Sequence, residues 1–139
     1  LKKIVKKVSK LSGGLLLIDY GYSKINNKNT LQSLMKHKRN NLLDNLGKAD
    51  ITSLVNFSLL NEYFIKNNLK VKKIVTQKFF LEKMGIIERA NDISKKMSFG
   101  EQSNLYLRIK RLLDSKFMGN LFKVIFAYKF KEDKFLGFD

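Results

Sequence analysis

Gly13-Gly14-Leu15-Leu16-Leu17-Ile18-Asp19-Tyr20-Gly21-Tyr22 is a short unbroken apolar run that delivers an acid, an aromatic ring and a glycine to one point. A run this short, with glycine on both sides, predicts a strand buried on both faces, as in parallel sheets covered by helices. Ligands in such sheets bind beyond the carboxyl ends of the strands, where Asp19, Tyr20 and Gly21 fall. The plainer reading is a strand ending in a turn, with Asp19 capping backbone and Gly21 supplying a positive φ. The segment alone leaves both open.

Upstream, Ile4, Val5, Val8 and Leu11 recur at helical spacing with lysines on the opposite face, and Gly13-Gly14 stops the helix. Downstream, residues 26–29 are polar and turn-like, and residues 30–35 alternate weakly, as either a strand or a short helix would. Residues 38–48 read as a loop, after which Ala49-Asp50-Ile51-Thr52 brings the chain back. Asn56 has the chemistry of an N-cap for a helix reaching residue 68, with Phe57, Leu60, Tyr63 and Phe64 on its apolar face. Residues 71–76 alternate like a strand near a sheet edge. Residues 78–95 carry Phe79, Phe80, Met84, Ile87 and Ala90, interrupted at Gly85, which predicts two short helices with a bend. Leu105, Ile109, Leu112 and Leu113 define a further helix before Gly119, and residues 121–130, aromatic and β-branched, a last strand.

An ordered series runs through these segments: Asp19-Tyr20-Gly21, Thr30-Leu31-Gln32, His37-Lys38, Gly47-Lys48-Ala49-Asp50-Ile51-Thr52, Val55-Asn56-Phe57 and Thr76-Gln77. It continues with Phe80-Leu81, Met84-Gly85-Ile86, Glu88-Arg89-Ala90 and Met118-Gly119-Asn120-Leu121-Phe122-Lys123-Val124. The series resembles the carboxyl-terminal half of the MidA-like methyltransferases, the S-adenosylmethionine-dependent family that includes the mitochondrial complex I assembly factor. No single motif is diagnostic; the order with compatible spacings is. Three positions depart: the family usually has histidine at Leu54, aspartate at Asn56 and glycine at Lys78. The resemblance implies an α/β fold, with residues 1–139 forming the carboxyl-terminal part of a Rossmann-like class I methyltransferase sheet. A helical insertion before a final antiparallel strand and an extended excursion at residues 30–35 are implied with it. It also places the family's glycine-rich cofactor turn upstream of Leu1, so that the chain is expected to be an amino-terminally truncated piece, close to complete at its carboxyl end. Gly13-Gly14 precedes a strand rather than a helix, which is the wrong order for cradling a ligand.

Length and composition bound the rest. At 139 residues the chain can bury one core. The net charge of +16 raises a nucleic-acid or anionic-membrane reading. Against it, lysine greatly outnumbers arginine and is spread along the chain, asparagine and isoleucine are frequent and proline is absent, a pattern AT-biased codon usage produces by itself. Base readout and phosphate clamping favour arginine in localised patches. The absence of cysteine excludes disulfides and thiol catalysis, and one histidine does not make a His-rich metal site, so no metal is expected. No apolar run approaches the roughly 20 residues of a membrane span. The basic segment at residues 2–10 lacks the apolar core and cleavage site of a signal peptide.

The expected activity is methyl transfer from S-adenosylmethionine to a protein, at arginine; in the mitochondrial branch the resemblance implies a respiratory complex I subunit as substrate. The implied location is the cytoplasm for a bacterial protein and the mitochondrial matrix for a eukaryotic one. Transfer from a sulfonium donor needs in-line positioning more than a strong base. For a guanidinium acceptor, carboxylates orient the planar fork, and Asp19 and Asp50 are the candidate acids. Tyr20 suits a cationic group, Gly21, His37 and Asn56 complete the cleft, and Thr52 and Gln77 offer neutral polar contacts. Each has a plainer alternative: Asp50 and Thr52 as turn formers, His37 as a loop hydrogen-bonder, Gln77 as structural, and Phe79, Phe80 and Met84 as core. Two rivals stand beside the enzyme: a basic nucleic-acid-binding module, and a non-catalytic assembly factor that keeps the fold.

Overall fold

The computed structural model describes residues 1–24 and 29–139, so the turn expected over residues 26–29 falls almost wholly outside the described residues. Helix α1 (Lys2–Lys10) leads into the long strand β1 (Gly14–Tyr22). The helix stops at Ser12, which takes the left-handed φ of 51°, while the amide of Gly13 donates to the carbonyl of Val8 at 3.0 Å. That six-residue closure is a Schellman end, with serine rather than either glycine in the left-handed position.

Strands β2 (Gln32–Met35), β3 (Lys38–Asn40) and β4 (Asp50–Thr52) form a separate antiparallel sheet in the order β3-β2-β4. Residues 30–35 are therefore extended. The loop expected from residue 38 begins instead as a strand, because Lys36 and His37 both adopt positive φ (49° and 63°) and close a two-residue hairpin turn, pairing Met35 with Lys38.

Strand β5 (Val55–Asn56) hands over to α2 (Phe57–Lys66), whose first turn is capped by the Asn56 side chain accepting from the Leu59 amide at 3.1 Å. After the helix come β6 (Lys70–Val71) and β7 (Val75–Thr76), two short strands where the alternation of residues 71–76 suggested one. Both pair with β8 (Phe122–Tyr128), and the chain bulges away between them. Helices α3 (Gln77–Lys83), α4 (Ile86–Ser94), α5 (Phe99–Leu113) and the single turn α6 (Met118–Leu121) fill the interval before β8, with Gly85 (φ 79°) at the predicted bend.

The main sheet runs β5-β1-β8-β6, with β7 also on β8. Strands β1, β6 and β7 are each antiparallel to β8 and hence parallel to one another, while β5 runs parallel to β1. A mixed α/β sheet whose last strand enters antiparallel after a helical insertion is the expected fold class. On one face Val5 of α1, Phe57 and Phe64 of α2, Leu69, Ile125 and Ala127 make the core, with Leu15 and Leu17 packed against it. Phe57 and Phe64 are fully buried, so truncating either to alanine costs about 3–5 kcal/mol.

The other face carries an aromatic cluster in which Phe126 stacks with Tyr128 at 5.3 Å and meets Phe135 edge-on at 5.0 Å, the latter from the carboxyl-terminal tail. Burial of β1 on both faces is not observed: Leu16 and Ile18, on this second face, are 44% and 46% exposed. The tail covers β8 and leaves these two uncovered. Phe79 and Met84 are likewise exposed rather than core; Phe80 is buried against Phe138.

Candidate functional site

Beyond the carboxyl end of β1, between the main and the three-stranded sheets, lies an open cleft of about 950 Å³. Its apolar wall is leucine: Leu31, Leu34, Leu42, Leu54 and Leu121, the last brought by α6. Tyr20 stands at the strand end, its ring held edge-on against Phe122 at 5.7 Å. Polar atoms come from Thr30, Gln32, Arg39, Asn40 and Thr52 among others, and no carboxylate lines the cleft among the described residues.

The polar groups are fixed by one another. Gln32 Nε2 donates to Thr52 Oγ1 at 3.2 Å across the β2–β4 pair, and Thr30 Oγ1 accepts from the Leu54 amide at 3.2 Å. Asn40 Nδ2 donates to Ser33 Oγ, to the carbonyl of Asn41 and to that of Asp44 at 3.2, 3.0 and 2.8 Å, tying the hairpin to the loop after it. The result is a rim of amides and hydroxyls over an apolar wall, with Arg39 as its one charged side chain among the described residues.

The residues singled out from sequence divide. Tyr20 and Thr52 line the cleft. Asp19 sits one residue before Tyr20 and so on the opposite face of β1; its Oδ1 accepts from the Tyr20 amide at 2.8 Å. In the sheet it is opposite Lys123, which is also opposite Thr76, so the ends of β1 and β7 emerge together. Burial draws the Lys123 ammonium below its usual pKa, and its Nζ donates to the Asn120 carbonyl.

Gly21 is in the strand, opposite Val55, and serves close approach rather than a positive φ: a Cβ there falls 2.3 Å from the Val55 carbonyl oxygen and 2.7 Å from the Phe57 ring. The remaining candidates are not gathered here. His37 is exposed at the hairpin tip, Asp50 is exposed on β4 opposite Leu34, Asn56 caps α2, and buried Gln77 donates to the Leu112 carbonyl at 3.0 Å. Of the departures from the family pattern, Leu54 lies in the cleft wall, Asn56 keeps the cap that an aspartate would make, and Lys78 is paired loosely with Glu82 on α3.

Arg39 and Asn40 were missed in sequence because they lie in what reads as loop; the available signal was an arginine in a chain whose cations are mostly lysine. The described residues do not build a nucleotide cradle. Gly13-Gly14 joins a helix to a strand, and Gly14 is needed because the Phe126 ring comes within 2.8 Å of where its Cβ would be.

The fold recurs in two solved structures from Burkholderia thailandensis. One is an uncharacterized protein, matched with TM-score 0.80 at 24% identity over 96% of this chain and 38% of that one. The other is a likely methyl transferase of the same superfamily bound to S-adenosyl-homocysteine, with TM-score 0.71 and 24% identity over 99% and 37%. In sequence the chain is 31% identical over 87 residues to the mitochondrial protein arginine methyltransferase NDUFAF7 homolog of Caenorhabditis elegans, covering 63% of this chain and 20% of that protein. It is 28% identical over 124 residues to the mitochondrial protein arginine methyltransferase NDUFAF7 of Xenopus tropicalis, covering 88% and 28%. The chain thus spans between a fifth and under a third of the length of these curated relatives. Residues 1–75, which hold β1, the cleft-forming sheet and α2, match the family model described as "Putative S-adenosyl-L-methionine-dependent methyltransferase", and the chain belongs to that family.

Proposed function

We propose that the protein containing this chain is an S-adenosylmethionine-dependent methyltransferase acting on a protein, at arginine, and that residues 1–139 are the carboxyl-terminal portion of its catalytic domain. The observation that carries this is the cleft at the carboxyl end of β1, whose lining residues, Leu121 apart, lie in the segment that matches the family model. The arginine acceptor rests on the names of the two mitochondrial relatives. A complex I subunit as substrate and a matrix location extend the same likeness, for a eukaryotic protein; a bacterial one would act in the cytoplasm.

In this reading the chain supplies the acceptor side. S-adenosylmethionine supplies an electrophilic methyl group, and the described residues offer no cradle for it, so their part is to hold and orient the acceptor. Tyr20 and Thr52 present an aromatic ring and a hydroxyl in the cleft, and the leucines give it one apolar side. Asp50 shares the sheet face of Leu34 and Thr52, and Asp19, on the opposite face of β1 from Tyr20, reaches an acceptor only past the strand end; these are the two carboxylates proposed to steer a guanidinium.

The test is methyl transfer by the full-length protein to a verified protein substrate. Asp19→Asn should lower turnover at saturating cofactor with cofactor affinity unchanged, a loss of about 2–4 kcal/mol of transition-state stabilisation for one electrostatic contact. Unchanged turnover removes Asp19 from the site. Leu54 favours a second reading, a non-catalytic assembly factor, since an apolar side chain stands in the cleft where the family usually has histidine. Absence of transfer by the full-length protein, with cofactor bound, would establish it.

A further inference from the structure

We infer that the cleft reads an acidic residue in the protein substrate, with Arg39 as the specificity-determining side chain. The inference rests on the reading of the protein as acting on a polypeptide. Three observations carry it.

First, Arg39 is the one charged group lining the cleft among the described residues, and no carboxylate there neutralises it. Arg39 is exposed and forms no ion pair among the described residues. Second, Arg39 is held at a fixed place: it lies opposite Leu34 in the β2–β3 pair, on a hairpin locked by the two left-handed turn residues and by the Asn40 side-chain bonds. A guanidinium on a pre-set strand loses less freedom on forming a two-pronged bond to a carboxylate than one on a mobile loop.

Third, the rest of the lining suits an extended peptide. The Gln32 side-chain carbonyl and the Thr52 hydroxyl proton match a backbone donor and acceptor, and the leucine wall takes a neighbouring apolar side chain. A cationic acceptor alone would meet like charge at Arg39. An acidic residue beside the acceptor removes that conflict and fixes the register of the bound segment.

The experiment uses the full-length protein and two fluorescein-labelled peptides that share one arginine and differ in a single flanking residue, glutamate or glutamine. Wild type should bind the glutamate peptide about tenfold more tightly, read by anisotropy without cofactor. Arg39→Ala should erase that preference, Arg39→Lys should keep part of it, and Arg39→Glu should reverse it. Lys6→Glu makes the same change in net charge on the exposed face of α1, outside the cleft, and should leave the preference intact.

Equal binding of the two peptides by wild type overturns the inference. Loss of preference in Lys6→Glu as large as in Arg39→Glu overturns it too, because the effect is then one of overall charge. Competitive displacement of the peptide by S-adenosyl-homocysteine, lost in Arg39→Ala, assigns Arg39 to a cofactor carboxylate and overturns it as well. Charge-selective peptide binding without methyl transfer removes the methyltransferase reading and leaves the role of Arg39 standing.

Discussion

At Gly21 the absence of one carbon decides whether two layers can meet. The Val55 carbonyl oxygen and the Phe57 ring both occupy the space a Cβ would need, and one of the two obstacles is backbone of the paired strand. Gly21→Ala therefore cannot be absorbed by a side-chain rotation, and it should destabilise the chain by about 1–3 kcal/mol or more, as overpacking does. Urea unfolding at concentrations where the chain is monomeric measures this; a midpoint equal to that of the parent would show that β5 is free to shift. The same residue shows what sequence does and does not disclose. That Asp19-Tyr20-Gly21 lies at the end of a strand follows from an apolar run meeting an acid, while the same run left open whether that end faces a ligand or only turns. Which of the three faces the cleft follows from strand alternation, which puts Tyr20 on one side and Asp19 and Gly21 on the other. Asp50, His37 and Gln77 needed tertiary pairing to place, since a short polar residue near a turn reads the same whether it binds a ligand or its own backbone.

Of the helix ends, the start of α2 was legible, whereas the side-chain caps Thr76 of α3 and Ser98 of α5 and the close of α1 were not. Asn56 caps α2 as its chemistry predicts, whereas the end of α1 is made by Ser12 in a left-handed conformation that no local signal at a serine announces. That conformation costs an L-residue about 1–2 kcal/mol and glycine nothing. Ser12→Gly should stabilise the chain by about 0.5–1 kcal/mol after the extra chain entropy of glycine is charged against it, and a lower thermal midpoint would refute the Schellman assignment. Strand β8 and the tail offer a test by pH. The Tyr128 hydroxyl donates to Asp133 at 2.7 Å, and burial first, then this bond and the nearby carboxylates, push the phenol up to about 12. A proton held more tightly in the folded state gives stability that is complete below the unfolded value of 10.0 and lost as pH rises toward about 12. Asp133 is shifted the other way, down, by the Tyr128 and Lys70 hydrogen bonds, so its contribution is present at neutral pH and lost on acidification. Tyr128→Phe should flatten the alkaline fall in unfolding free energy relative to the parent, with lysine titration common to both; parallel curves would mean that the hydroxyl does not hold the tail.

The whole molecule is a sheet finished on one side and open on the other. Strand β8 pairs with β1 from Gly14 to Tyr20, yet along its other edge β1 meets only β5, at Gly21 and Tyr22, among the described residues. The edge left open carries Leu15-Leu16-Leu17-Ile18, with no proline and no charge before Asp19, and Leu16 and Ile18 stay about half exposed beside it. Exposed apolar edges of this kind pair with other chains. The net charge of +16 opposes that association over distances that salt shortens to about 8 Å at physiological ionic strength. The isolated 139 residues should therefore self-associate more strongly as salt rises, the reverse of what ion pairing between copies would give. Ile18→Lys puts a charge on the edge at a site outside the core, and it should raise the concentration needed for association by about tenfold while far-ultraviolet circular dichroism stays unchanged. Sedimentation velocity across a salt series reads both effects. The apolar run between glycines was enough to place a strand here, while the fold class came from the ordered series that resembles a family; the expectation that both faces of the strand are covered was a statement about neighbours, and a strand does not encode its neighbours. If Ile18→Lys and the parent sediment alike at every salt concentration, the edge is not the contact, and the exposed leucines of the cleft become the next surface to charge.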